Sequence, residues 1–226
     1  MFDKRVGSLE EAVADIYDGA TVLISGFGFT GVPVELVHAL LDQGARELTI
    51  VTNNAGAGES GVAALIRERR VRKVMATYPR SKGSVWFERR YLDGELELEL
   101  IPQGTMSERI RAAGAGLGGF FTPTGADTGL AEGKEVRIID GRKYVLEYPL
   151  LGDFALIRAD RADRWGNLTY RSSARNYGPT MATAAPVTIV QARELVELGD
   201  IDPECVVTPG IFVDRVVEIG SLVVGR

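Results

Sequence analysis

Glu95-Leu96-Glu97-Leu98-Glu99-Leu100-Ile101-Pro102-Gln103-Gly104-Thr105-Met106-Ser107-Glu108 is the stretch from which the fold can be read. Its first half alternates strictly, which at period two puts leucines on one face and glutamates on the other and predicts a half-buried strand over 96–101. Pro102-Gln103-Gly104 ends the alternation. Thr105-Met106-Ser107-Glu108 then has capping-box spacing, in which a threonine hydroxyl takes a backbone N–H three residues on and the glutamate reaches back. A strand therefore hands over to a helix with an amide side chain and a glycine at the junction. In open α/β sheets ligands bind at such junctions, because free N–H groups and the positive end of the helix point into the crevice.

The same handover recurs upstream. Ser8-Leu9-Glu10-Glu11 opens a first helix running toward Asp18-Gly19, and Thr21-Val22-Leu23-Ile24 is a short apolar strand. The strand runs into Ser25-Gly26-Phe27-Gly28-Phe29-Thr30-Gly31, and a helix starting at Pro33 continues to about Asp42. Leu48 to Val51 is a second strand, followed by Asn53-Asn54-Ala55-Gly56 and a helix led by Ser60. Val74 to Tyr78 is a third, stopped by Pro79, with a helix over 84–92. Four strand–loop–helix units predict a mainly parallel open α/β sheet with right-handed crossovers, helices on both faces and the four loops at one edge. Farther on, Val136 to Ile139 and Lys143 to Glu147 read as a hairpin turning on Asp140-Gly141. Phe154 to Ala159 and Leu168 to Tyr170, flanking a turn at Asp163 to Asn167, read as short antiparallel-style strands. A late unit pairs a strand, Val187 to Val190, with a helix, Ala192 to Leu198. The second half is thus expected to carry a smaller antiparallel portion, within one domain over residues 1–226.

Composition narrows the chemistry. With 26 basic and 31 acidic residues the formal charge is −5, and the signs are interleaved, so neither a nucleic-acid footprint nor a membrane-binding patch is expected. The densest basic run, Arg67 to Lys73, reads as the solvated end of a helix. One cysteine, Cys205, leaves no internal disulfide and reads as a buried inert thiol beside Val206 and Val207. One histidine, His38, leaves no Cys/His metal cluster and reads as structural. Met1-Phe2-Asp3-Lys4-Arg5 has no apolar run behind it, so a cytoplasmic, soluble protein is expected. Catalysis must rest on carboxylates, amides, hydroxyls and backbone.

The loops offer four candidates. Gly26 to Gly31 lacks the spacing of a dinucleotide fingerprint or a P-loop; it either brings backbone N–H groups close to a pyrophosphate or thioester, or makes a tight turn. Asn53 and Asn54 are amides that can donate to an oxyanion or orient a carboxylate, and are equally at home in turns. Gln103 is not a turn former, which favours a functional amide. Arg80 can fork onto a substrate carboxylate or lie in solvent.

Taken together these loops resemble the alpha subunit of a family I CoA-transferase. The amino-terminal signature is matched by Asp18-Gly19, the strand Val22-Leu23-Ile24, Ser25-Gly26-Phe27 and Gly31-Val32-Pro33, with Ser25 where the family has the first glycine of a pair. The likeness continues through Asn53-Asn54-Ala55-Gly56, Pro102-Gln103-Gly104-Thr105, Thr122-Pro123-Thr124-Gly125, Glu132-Gly133, Gly166-Asn167, Ala174-Arg175-Asn176 and Thr208-Pro209-Gly210, covering nearly the whole chain. Tyr78-Pro79-Arg80-Ser81 and the segment 163–170 most resemble members that act on 3-oxoadipate in aromatic-compound degradation.

The resemblance implies ping-pong transfer of coenzyme A from succinyl-CoA, through a glutamyl-CoA thioester on a separate beta subunit, with CoA as co-substrate and no permanently bound cofactor or metal. The nucleophilic glutamate belongs to a Glu-Asn-Gly context absent from this chain, where Glu59-Ser60-Gly61 comes nearest. It further implies that Asn53 and Gln103 support substrate and oxyanion, that the segment Ser25, Gly26, Phe27, Gly28, Phe29, Thr30 and Gly31 meets CoA, and that Asn54 and Arg80 meet the acid. An acetoacetate or short-chain fatty-acid transferase, and a sugar-phosphate isomerase or ligand sensor of the same fold, are the alternatives.

Overall fold

A computed structural model describes residues 3–220; Met1 and Phe2, which begin the amino-terminal stretch read above, lie outside them. Helix α1 (Leu9–Val13) is capped by the Ser8 hydroxyl, which accepts from the Glu11 N–H, while the Glu11 carboxylate reaches past the cap to the Gly7 N–H. Then follow β1 (Thr21–Ile24), α2 (Val34–Gln43), β2 (Leu48–Thr52), α3 (Val62–Arg67), β3 (Val71–Ala76), α4 (Val85–Leu92), β4 (Glu97–Leu100) and α5 (Gln103–Gly114). The second half contributes β5 (Phe120–Thr122), β6 (Val136–Ile139), β7 (Arg142–Glu147), β8 (Phe154–Asp163), β9 (Leu168–Thr169), α6 (Gly178–Ala182), β10 (Val187–Val196) and β11 (Arg215–Glu218).

The main sheet runs β11-β10-β8-β1-β2-β3-β4, parallel throughout, with β9 antiparallel on β8. Side chains alternate across it. Val22, Ile24, Leu48 and Ile50 join α1, α2 and α3 in one core, and Leu23, Val51, Met75 and Ile157 join α5 and α6 in the other. With both faces covered, central strands must be apolar at nearly every position, and β2 is buried at all of them. From β1 the chain steps outward to β4 in one direction; from β8 it steps through β10 to β11 in the other. The topological switch point therefore lies between β1 and β8, and the segment 25–31 leaves the sheet there.

A smaller antiparallel sheet, β5-β7-β6, turns at Asp140-Gly141 with positive φ at both residues, as the two-residue hairpin requires. Ion pairs fasten it to the main sheet's edge. Buried Glu147 on β7 holds Lys134 and faces Arg109 of α5 at 3.9 Å, and Arg109 pairs at 3.0 Å with Glu99 of β4, which also holds Lys73 of β3. Burial alone would raise the Glu99 carboxyl; Lys73 and Arg109 outweigh it and hold the group below its ordinary range.

Five local expectations are corrected. β8 is no short antiparallel-style strand but a ten-residue member at the centre of the parallel sheet, between β1 and β10. Ala192 to Leu198 is not a helix: β10 continues to Val196 because β8 stays beside it to Asp163, and Arg193 pairs with Asp160. Thr105 is no helix cap. Pro102 accepts from the Met106 N–H at 2.8 Å, so α5 begins at Gln103 and Thr105 falls inside its first turn with its hydroxyl buried and unpaired among the described residues. The basic run over 67–73 crosses from α3 into β3 rather than ending a helix in water, with Arg70 donating to the Gly44 carbonyl and Lys73 paired to Glu99. Cys205 is exposed, in a 3-10 turn that Asp202 caps.

Candidate active site

Asn53 follows β2 immediately and is 4 % exposed. Burying an amide without partners costs roughly 2–7 kcal/mol, so its bonding is decisive. Its Oδ1 accepts from Thr77 Oγ1 at 2.8 Å and from Gln103 Nε2 at 3.2 Å, while its own carbonyl takes the N–H groups of Thr77 and Tyr78. With Oδ1 committed inward, Nδ2 is left as a donor without a partner among the described residues. Gln103, the first residue of α5, is exposed and reaches back over β3 to make its bond. Two amides from loops fifty residues apart thus meet at the carboxyl edge, each with donor capacity unspent.

Asn54 does turn chemistry: its Oδ1 accepts from the Gly56 N–H at 3.2 Å. Gly56 itself has φ +77, and a Cβ there would lie 2.7 Å from the Ala63 nitrogen, so the loop must carry glycine to pack on α3. His38 is structural, as read. Its Nε2 accepts the Gly61 N–H at 3.0 Å at the start of α3. Arg80 leaves the same corner as Asn53, since Ala55 donates to the Pro79 carbonyl; its side chain is 76 % exposed and pairs with Glu88 at 3.0 Å.

The glycine segment is a knot of its own. Phe27 and Thr30 exchange both backbone hydrogen bonds around Gly28-Phe29, and Ser25, buried where the resembled signature has glycine, donates its hydroxyl to the Gly31 carbonyl at 2.8 Å. Asn176 clamps the knot from outside: its Oδ1 accepts from Gly26 N–H at 3.0 Å and its Nδ2 donates to the Thr30 carbonyl at 2.9 Å. The N–H groups of Gly26, Phe27 and Thr30 are thereby spent, whereas those of Gly28, Phe29 and Gly31 have no partner among the described residues. At the tip Phe29 is 80 % exposed. Beneath it an open depression of about 520 Å³ is lined by Phe27, Thr30, Ser172, Ser173, Arg175 and Asn176.

The structure therefore brings Asn53 and Gln103 together, leaves Asn54 in the loop of Asn53, and places the glycine segment at the switch point. Local sequence reasoning missed Thr77, and found no role for Asn176 beyond its place in the resemblance. An asparagine whose amide serves Gly26 from 150 residues away leaves no signal in local spacing.

Comparison with known proteins follows the same lines. The sequence profile of the coenzyme A transferase family matches residues 6–219. The chain is 56 % identical over 221 residues to a 3-oxoadipate CoA-transferase subunit of Pseudomonas putida, covering 98 % of this chain and 96 % of that one. It is 54 % identical to the protein of the same name from Acinetobacter baylyi, covering 98 % and 97 %. Among solved structures, glutaconate coenzyme A-transferase from Acidaminococcus fermentans superposes with a TM-score of 0.85 at 22 % identity, over 96 % of this chain and 76 % of that one, a likeness of fold.

Proposed function

The chain belongs to the coenzyme A transferase family, and on that premise we propose that it is the alpha subunit of an enzyme moving CoA from succinyl-CoA to 3-oxoadipate. One observation carries the reading of the site: Asn53 Oδ1 is tied down by Thr77 and Gln103, which turns the amide hydrogens outward.

The chemistry asks for that. A glutamate on the beta subunit's side of the site attacks the thioester carbonyl and CoA thiolate leaves, giving a mixed anhydride. The thiolate then attacks the glutamyl carbonyl, succinate leaves, and a glutamyl-CoA thioester remains; the acceptor acid reverses the sequence. Every addition puts negative charge on a carbonyl oxygen. Asn53 Nδ2 and Gln103 Nε2 are neutral donors suited to that oxygen, and need no proton transfer to serve it. The unpaired N–H groups at Gly28, Phe29 and Gly31 suit the acyl-CoA chain, and Asn54 Nδ2 the carboxylate of the acid. Arg80, exposed and held among the described residues by half-buried Glu88 alone, can exchange that partner for the distal carboxylate by which 3-oxoadipate differs from acetoacetate.

The test is to express the chain with and without a beta subunit carrying Glu-Asn-Gly. The chain alone is expected to be inactive. In the assembled enzyme Gln103→Ala and Asn53→Ala should each lower kcat about 10²–10³-fold, and wild-type turnover after either would refute their role. Arg80→Met should erase the preference for 3-oxoadipate over acetoacetate. An enzyme that never had this preference points to a short-chain acceptor instead.

A further inference from the structure

Next to the depression under Phe29 lies a second one of about 280 Å³, and both are lined by Thr30, Ser172 and Ser173, so that they adjoin as one trough. Arg175 lines the first part, and Arg158, Arg171 and Arg193 line the second. Asp160, the one carboxylate among the lining residues, is taken by Arg193 at 2.8 Å. Arg158, Arg171 and Arg175 are left without an ion-pair partner among the described residues, and Arg158 is half-buried. In a chain whose formal charge is −5, three uncompensated guanidinium groups around one hollow repel each other and are partly stripped of water, a cost that an anion seated among them would offset.

Folding gathers this charge from separate elements. Arg158 is on β8 and Arg193 on β10, in the halves of those strands that run on past β1, while Arg171 and Arg175 belong to the strap between β9 and α6. Within the strap Ser172 is held at φ +49, a left-handed conformation that residues other than glycine adopt only under constraint and that collects where ligands are held. The strap grips the glycine segment through Asn176, and the Arg158 N–H reaches Ser25 Oγ at 3.4 Å. Trough and glycine segment are thus fastened to each other at both ends.

Position selects the anion. From β8 and β10 to β2, which ends at Asn53, is two to three strand spacings, roughly 10–15 Å, and the segment 25–31 leaves β1 in between. Across the edge the order is guanidinium groups, then unpaired backbone N–H groups, then amide donors, which repeats the order of an acyl-CoA: phosphates, pantetheine amides, thioester carbonyl. We propose that Arg158, Arg171 and Arg175 hold the phosphates at the nucleotide end of coenzyme A, which lies in the trough while its pantetheine arm crosses the glycine segment toward Asn53. Guanidinium groups suit that end because their forked donors match phosphate oxygens two at a time and keep their charge at any working pH. The amides after β2 and β4 would then meet the reacting carbonyl while binding strength is drawn from the far side of the glycine segment.

The inference rests on the reading of the chain as one half of a CoA-transferase, and the assembled enzyme separates the two. Arg171→Gln and Arg175→Gln, both at exposed positions, should each lower kcat/KM for succinyl-CoA about tenfold, the scale of one charge-assisted hydrogen bond, and leave kcat/KM for the acceptor acid unchanged, since the acceptor meets an enzyme to which CoA is already joined. Adenosine 3′,5′-bisphosphate, the nucleotide end without its arm, should compete with succinyl-CoA in the wild type and bind each variant about tenfold more weakly. Wild-type kcat/KM and wild-type inhibition in both variants would empty the trough of CoA. A fall in kcat/KM with inhibition unchanged would mean that the arginines serve contact with the beta subunit, and the proposal is wrong. Inorganic phosphate competing as well as the bisphosphate would make the trough a site for the free ion, which likewise overturns it. A wild-type assembly that moves no CoA would instead remove the reading on which the inference stands.

Discussion

The glycine segment after β1 and the Gln103 corner after β4 lie on the same edge of one sheet and are built on opposite plans. The first is mainly backbone, braced by the Ser25 hydroxyl. Its turn is closed by main-chain bonds, Gly26, Gly28 and Gly31 have positive φ, and its exterior is gripped by Asn176. The second is an ordinary helix start whose polar features are two side-chain amides bonded to each other. A central position, crowded by β8 and the strap 172–176, leaves room only for main chain. An edge position is open enough for a side chain to span a neighbouring strand. Substitution should therefore damage folding at the first place and chemistry at the second.

The sharpest way to break that contrast is Gly31→Ala. A methyl there meets the Ala174 carbonyl and the Asn176 amide at φ +76, and should cost about 3–5 kcal/mol in denaturant unfolding; a loss under ~1 kcal/mol would mean that the strap gives way. Alkali probes the strap from beneath. Tyr170 bonds to Thr208 at 2.8 Å, and burial pushes its phenol up to about 12, so the folded state keeps a proton that the unfolded chain surrenders near pH 10. Its contribution is fully present below pH 10 and is lost as pH rises through 12, at most about 1.4 kcal/mol per pH unit, and Tyr170→Phe should flatten that slope. Gly28→Ala, with φ +61 but open space, should cost only about 1 kcal/mol. Smallest of all, Gln103→Ala should leave unfolding within about 0.5 kcal/mol of wild type, however large its effect on turnover.

Much of this was legible in sequence, and the failures have physical causes. The units through α5 announced themselves because each apolar strand ends in glycine, asparagine or proline, and the hairpin at Asp140-Gly141 because that dipeptide tolerates positive φ. β8 and β10 were misjudged because charged residues enter their far halves: Arg158, Asp160 and Arg161, then Arg193 and Glu194. Those charges suit a strand extending past β1 and pairing across the sheet, a fact of register that no window of sequence contains. Thr105 had the right spacing for a cap, but Pro102 had already set the chain into helix. At the site Gln103 and Asn53 stood out as amides at strand ends. Thr77, which holds Asn53, and Asn176, which clamps the glycine segment, did not, because each matters through a contact made only after folding.

The clamp on Gly26 also has a history in time. Its partner Asn176 lies 150 residues later in the chain, and a ribosome adding roughly 5–20 residues per second makes the segment on the order of ten seconds before the amide that will hold it. β1 meets the same delay, for its other neighbour β8 starts at Phe154 and the Thr21 N–H bonds Asp153. During synthesis the first four strands can assemble among themselves while one side of β1 stays open. The central crevice thus closes after the first four strands and before β10 and β11 are added, and the amide pair at the rim, complete once α5 has emerged, is older than the crevice beside it.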